Sequence, residues 1–131
     1  TNINSAIGIA NLEEYKEIKN RRKEMVKKYR EAFQKIDGIT LLESKNDRES
    51  ANELFTMHVK DRNKFCKKMA SSGIETSIVH MRNDAYKIFG NLRKDLPNLD
   101  KFSKTNISIP LHNNLSDEEL DYIISTVKKG W

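Results

Sequence analysis

Phe55-Thr56-Met57-His58-Val59, then Asp61 to Gly73, then Ile74 to Val79, is the stretch on which the fold turns. In its first five residues apolar and polar side chains alternate. Phe55, Met57 and Val59 therefore share one face and Thr56 and His58 the other, as a half-buried strand requires. Asp61 is placed to cap a helix in which Phe65 and Met69 face inward, and Gly73 supplies its stop. Ile74 to Val79 reads as the next strand. The order strand, helix, strand predicts neighbouring strands with a helix laid across them, in either relative direction.

Working outward, apolar residues recur at helical spacing from Ile3 to Ile36: Leu12, Tyr15 and Ile18, then Met25, Tyr29, Phe33 and Ile36, with Arg22 interrupting the row. The spacing predicts one long helix, in which Gly8 allows a bend or a close backbone approach. At about 1.5 Å per residue such a helix outreaches the remaining chain, so part of its stripe should face another domain or subunit. Asp37-Gly38 ends the helix with a left-handed residue, Ile39 to Leu42 runs extended, and Glu43 to Asn52 is a polar loop. On the other side, His80 to Leu96 has weak periodicity and reads as an ordered loop with a short helix near Ala85 to Phe89. Pro97 opens a short helix carrying Leu99 and Phe102, and Ile107 and Ile109 form a strand closed by Pro110. Ser116 and Glu119 have capping-box spacing ahead of a helix whose apolar face is Leu120, Ile123, Ile124 and Val127.

The expected fold is α/β, a two-layer sandwich in which a small sheet is packed by helices. Residues 1–36 form the long helix and residues 37–131 the small domain. The 131 residues are 37% hydrophobic and 33% charged, which suits one soluble globular domain with one core. No apolar run is long enough for a bilayer and no leader pattern is present, so the cytoplasm is the expected location. Cys66 is the single cysteine, which excludes an internal disulfide and suits a small apolar packing role. Three dispersed histidines and one cysteine do not make a metal site.

The net charge of +5 and the basic run Lys19 to Arg30 invite a nucleic-acid reading. Glu17, Glu24 and Glu31, however, each precede a cation by four residues (Arg21, Lys28, Lys35), the spacing of a solvated, internally paired helix face. No nucleic-acid module is recognisable, and neither nucleic acid nor membrane is an expected partner.

Two further stretches, Thr1-Asn-Ile-Asn-Ser-Ala-Ile-Gly-Ile-Ala-Asn-Leu12 and Ile107-Ser-Ile-Pro-Leu-His112 with Leu115-Ser-Asp-Glu-Glu119, combine with Gly73-Ile74-Glu75-Thr76 in one order. In that order and spacing the chain resembles the small C-terminal domain of the DegT/DnrJ/StrS aminotransferases. These are fold-type I enzymes that use pyridoxal phosphate to place an amino group, typically from glutamate, on a keto carbon of a nucleotide-linked sugar. The resemblance implies a homodimeric parent whose Schiff-base lysine lies in a larger N-terminal domain, in sequence preceding Thr1. The chain opens on Thr1 at the head of an amphipathic pattern, and the expectation is a C-terminal piece of a larger protein. Every lysine here lies on a polar face or in a charged cluster, so the piece alone is expected to be inert and to bind no cofactor.

The same resemblance implies the candidate site residues. Family members carry a histidine after the Gly-Ile-x-Thr strand, on a loop that approaches the sugar nucleotide, which implies that His80 faces substrate. The loop continues Met81-Arg-Asn-Asp-Ala-Tyr86, which resembles a subset of the family and adds Arg82, Asn83 and Tyr86 as substrate contacts. Two readings of Arg82 stand side by side: a planar fork for a diphosphate or carboxylate, and an internal partner for Asp84 that orders the loop. Asn2 and Asn4 match a segment near the cofactor phosphate and dimer region, although their chemistry suits a cap and a helix-packing contact better. His112 reads as structural, and His58 has no partner in view. On the residues alone, a non-catalytic interaction module working through the long helix and a basic nucleic-acid-binding domain are the alternatives.

Overall fold

The computed structural model describes residues 1–131. Its elements are α1 (Asn2–Glu13), α2 (Tyr15–Phe33), β1 (Ile39–Leu41), β2 (Phe55–Val59), α3 (Arg62–Ser71), α4 (Pro97–Thr105), β3 (Asn106–Ile109) and α5 (Asp117–Lys128), with two short 3-10 turns at Asn83–Ala85 and Lys87–Phe89. The three strands form an antiparallel sheet in the order β1-β2-β3, with Ile39 opposite Val59 and Phe55 opposite Ile109. Alternation in β2 works as the sequence predicts: Phe55, Met57 and Val59 are buried and Thr56 and His58 half-buried.

The buried face of the sheet packs on Met25, Tyr29 and Phe33 of α2, Phe65 and Met69 of α3, and Leu120, Ile123 and Val127 of α5. Tyr29 stacks on Phe33 and meets Phe55 at 4.9 Å between ring centres. Its hydroxyl donates to the Pro110 carbonyl at 2.9 Å, so the one polar atom this ring carries inward is satisfied. Burial pushes that hydroxyl well above the usual tyrosine value, which keeps it a donor. The opposite face of the sheet is crossed by α4. Ser116 and Glu119 form the expected capping box at the start of α5.

Several expectations need correction. The long helix is two helices. The interruption lies at Glu14, whose ψ of −2° departs from the helical value of about −42°, and not at Gly8, which sits inside α1 with open space around it. α1 buries no residue, leaving Ile3, Ile7, Ile9 and Leu12 exposed around the helix. The α2 helix ends at Phe33, earlier than Gly38. Gly38 instead takes φ +83° in the turn into β1, against the ring of Trp131, whose Nε1 donates to the Lys60 carbonyl. Asp61 holds the cap position of α3 through its backbone carbonyl, which accepts from Lys64 and Phe65, and its side chain takes no part.

The strand expected over Ile74–Val79 reduces to one antiparallel bridge between Ser77 and Ser108. Ile74 turns into the core while Ile78 and Val79 stay exposed, so only one residue pairs with the edge of β3. The ion pairs expected along α2 also form differently. Arg21 and Lys28 both reach Asp117 of α5 at 3.0 Å, Lys19 and Lys23 meet Glu49, and Lys27 pairs with Glu31. Lys19, Arg21, Lys23 and Lys28 are thus paired with carboxylates outside the helix, which ties α2 to the rest of the domain.

Candidate functional site

Past Ile74 and the Ser77 bridge the chain leaves the sheet edge and brings His80 to the surface. Arg82 then turns back and organises the loop as far as Arg93. Its Nε and one Nη donate to the two carboxylate oxygens of Asp84, both at 2.6 Å, the same Nη donates to the Arg93 carbonyl at 3.1 Å, and the other Nη donates to Asp100 of α4. Asp84 in turn accepts the Arg93 backbone N–H at 2.9 Å. Arg82 is only 8% exposed and Asp84 13%, so the cluster is sheltered although it lies on a loop. Arg82 first, then the Arg93 N–H, hold the Asp84 carboxyl well below the usual carboxylate range. Asp84 and Asp100 raise Arg82 further, fixing it as a cation.

This closed set of bonds folds residues 82–93 into a loop with its own frame. Asn83 opens the first 3-10 turn with its side chain exposed. Tyr86 is half exposed, with its hydroxyl 3.8 Å from the Met81 sulfur. Gly90 takes φ +104°, a conformation that favours glycine, and reverses the chain after Phe89. Met81, Ile88, Phe89 and Leu92 lie exposed on the same loop, Ile88 at 86%. The structure therefore brings His80, Arg82, Asn83 and Tyr86 together on one ordered projection. Asn2 and Asn4 stand apart from it, exposed on the first turns of α1, and Thr1 takes the cap position there without a side-chain bond.

Sequence reading missed Asp100, the second carboxylate on Arg82, because it comes from another element 18 residues on. The available signal was an acidic residue in the first turn of a helix opened by proline. It also missed the partners of His58. The Nδ1 of His58 lies 2.8 Å from the Thr105 hydroxyl, which itself donates to the Lys101 carbonyl at 2.9 Å. With its hydrogen so placed, the Thr105 hydroxyl accepts from His58 in the tautomer protonated on Nδ1. Phe102 meets the imidazole edge to face. The ring lines an open cavity of about 650 Å³ between α4 and the outer side of the sheet, together with Lys60 and Lys101. His112 is exposed, and its carbonyl accepts from Leu115 in the turn before α5. Cys66 is half-buried against the core.

A family model described as the DegT/DnrJ/EryC1/StrS aminotransferase family matches residues 1–128. The chain belongs to this family. Among solved structures, the sugar aminotransferase CalS13 from Micromonospora echinospora superposes with a TM-score of 0.90 at 34% identity, over 96% of this chain and 34% of its own. The PLP form of Spr1654 from Streptococcus pneumoniae gives a TM-score of 0.83 at 32% identity, over 98% of this chain and 35% of its own. The Bacillus subtilis spore coat polysaccharide biosynthesis protein SpsC is 27% identical over 137 residues, 96% of this chain and 35% of SpsC. The chain thus spans about a third of the length of the family members it matches.

Membership in an aminotransferase family implies pyridoxal phosphate, and the lysines of this chain test the fit. A Schiff-base lysine needs a lowered pKa from burial or a neighbouring cation. None of these lysines is buried, and Lys19 is shifted the opposite way, upward, by its hydrogen bond to Glu49. The lysines here do not fit the covalent anchor.

Proposed function

We propose that this chain is the C-terminal domain of a pyridoxal-phosphate enzyme that transfers an amino group to a keto carbon of a nucleotide-linked sugar. The observation that carries the reading is the ordered loop of residues 80–93, held by Arg82 on a domain that spans a third of its family relatives and resembles CalS13. The cofactor supplies the electron sink for amino transfer and is held by the larger domain. The excised chain is catalytically inert.

In this reading His80, Asn83 and Tyr86, exposed on the loop, meet the sugar nucleotide. Arg82 keeps one Nη1 N–H outside the bonds to Asp84, Asp100 and Arg93, too few for a two-pronged grip on a diphosphate. Its contribution to substrate binding is one hydrogen bond at most, and its main work is to hold the loop. Asn2 and Asn4 present side-chain amides beside the free N–H groups of the first turn of α1, chemistry suited to an anion such as the cofactor phosphate. The uncovered Ile3, Ile7 and Leu12 dock on the larger domain and on the second subunit of a homodimer. Glutamate is the amino donor we assign. No helix is long and apolar enough to cross a membrane, and we place the enzyme in the cytoplasm.

The test is made on the full-length protein. Incubated with pyridoxal phosphate, glutamate and a keto-sugar nucleotide, it should form 2-oxoglutarate and an amino-sugar nucleotide in equal amounts. His80→Ala should weaken use of the sugar substrate. Unchanged kinetics would remove His80 from the site, and a wild-type protein that aminates no keto-sugar nucleotide would refute the proposed activity.

A further inference from the structure

We infer that Asp100 is a positioning residue for the sugar-nucleotide side of the reaction, tying the loop that bears His80 to α4 and so to the sheet. The inference rests on the proposed function for its substrate and on geometry for the tie.

Asp100 is the member of the Arg82 cluster that does not belong to the loop. Asp84 and Arg93 close the loop on itself, so their bonds give it a shape and no fixed place on the domain. The bond from Arg82 to Asp100 crosses to α4. That helix is held on the outer side of the sheet from two directions. Arg62 of α3 donates to the Ser103 carbonyl at 2.6 Å and to the Asn106 carbonyl at 3.2 Å, and His58 of β2 bonds Thr105. Ser103 lies one helical turn beyond Asp100 and its hydroxyl donates to the Asp100 carbonyl, so the carboxylate stands on an immobilised stretch of helix. The path from sheet to α4 to Arg82 to His80 is continuous. Substrate-binding groups on loops depend on such a rigid support, because small displacements are felt strongly in rate and affinity.

Asp100→Asn removes the charge at nearly constant size, leaving the Arg82–Asp84 pair to hold a loop that has lost its brace on α4 and opens more often. In the full-length holoenzyme the KM for the sugar nucleotide should rise about tenfold while the KM for glutamate moves less than about twofold. Asp100→Glu, which restores the carboxylate, should recover most of the loss. Asp95→Asn, removing an exposed carboxylate that pairs with Arg93 alone, should change neither constant. Hydrogen exchange on the same proteins reads the tether itself. Amides of residues 81–93 should exchange about tenfold faster in Asp100→Asn, with those of β2 unchanged.

Equal effects on both KM values, or no effect on either, would overturn the positioning role, and wild-type protection of the loop would overturn the tether. A wild-type enzyme inactive on every keto-sugar nucleotide would sink the proposed function and the role assigned to Asp100 with it, leaving exchange to decide the tether alone.

Discussion

Arg82 and Asp84 meet through two parallel hydrogen bonds of 2.6 Å each, and Asp84 uses the same carboxylate to take the backbone N–H of Arg93. One acidic side chain thereby fastens both ends of the projecting loop. Replacing Asp84 with Asn should release the loop without unfolding the domain. Amide exchange across residues 85–93 should accelerate about tenfold or more while the core strands keep their protection. Because Arg82 holds the folded-state pKa of Asp84 below the unfolded value of about 3.9, its stabilisation is fully present above that pH. It is lost as pH falls through the folded value. Loop protection measured against pH should therefore be flat through neutrality and decline only in strong acid.

Met57 points from the central strand into the core and is fully buried, between helices that supply Tyr29, Phe65 and Leu120 to the same cluster. Truncation to alanine leaves a cavity those rigid neighbours close only in part. Met57→Ala should cost about 2–5 kcal/mol in denaturant unfolding. Thr56→Ala, on the other face of the same strand, loses one hydroxyl contact with Ser108 at 2.8 Å and should cost about 1 kcal/mol. A ratio near one would contradict the assigned facing of β2.

The sequence showed these two faces clearly because alternation in Phe55–Val59 and the 3.6-residue spacing in α2 and α5 are local consequences of burial, legible without knowing what lies opposite. Ile74–Val79 was less legible. Its β-branched run has strand propensity, but a strand also needs a partner edge, and beside β3 only Ser77 finds one. The ion pairs of α2 failed for a related reason: Asp117, far off in sequence, competes for Arg21 and Lys28 at 3.0 Å. Within the candidate site Asp84 could be seen at two residues from Arg82, whereas Asp100 arrives only when α4 is folded across the sheet.

Gly38 combines φ +83° with a tight neighbour: a Cβ there would lie 3.3 Å from the Trp131 ring. Gly38→Ala must strain the backbone and push the indole from the Lys60 carbonyl it donates to. A loss of about 1–3 kcal/mol is expected, with a change in tryptophan fluorescence as the ring moves. Gly8→Ala, inside α1 with open space around it, should be neutral or stabilising by about 1 kcal/mol, provided no partner approaches its backbone. A loss of dimerisation in that variant of the full-length protein would reveal such a partner.

The uncovered apolar residues of α1 predict an effect on assembly without one on folding. Ile3, Ile7 and Leu12 are all exposed in their own chain, so replacing all three with Glu should leave domain stability within about 0.5 kcal/mol of wild type. In the homodimer proposed above for the full-length protein, the same change should shift sedimentation from dimer towards monomer. An unaltered dimer would place the subunit interface elsewhere.

His58 supplies the pH dependence nearest neutrality. Burial, and then the charge of Lys101, lower its pKa below the ordinary 6.5. Lys60 and Asp37 line the same cavity, so one acid and two cations share that surface with the ring. With the folded pKa below the unfolded one, the unfolded chain binds more protons between the two values. Stability then rises with pH across that window and falls as pH drops from about 6.5 through the folded value. The ring bonds the Thr105 hydroxyl through Nδ1, a contact an asparagine amide can imitate without titrating. The urea midpoint should therefore decline from about pH 7 to pH 5 in the wild type, and His58→Asn should flatten that decline. A midpoint that rises on acidification would show that the folded state favours the charged ring, reversing the reading of how α4 rests on the sheet.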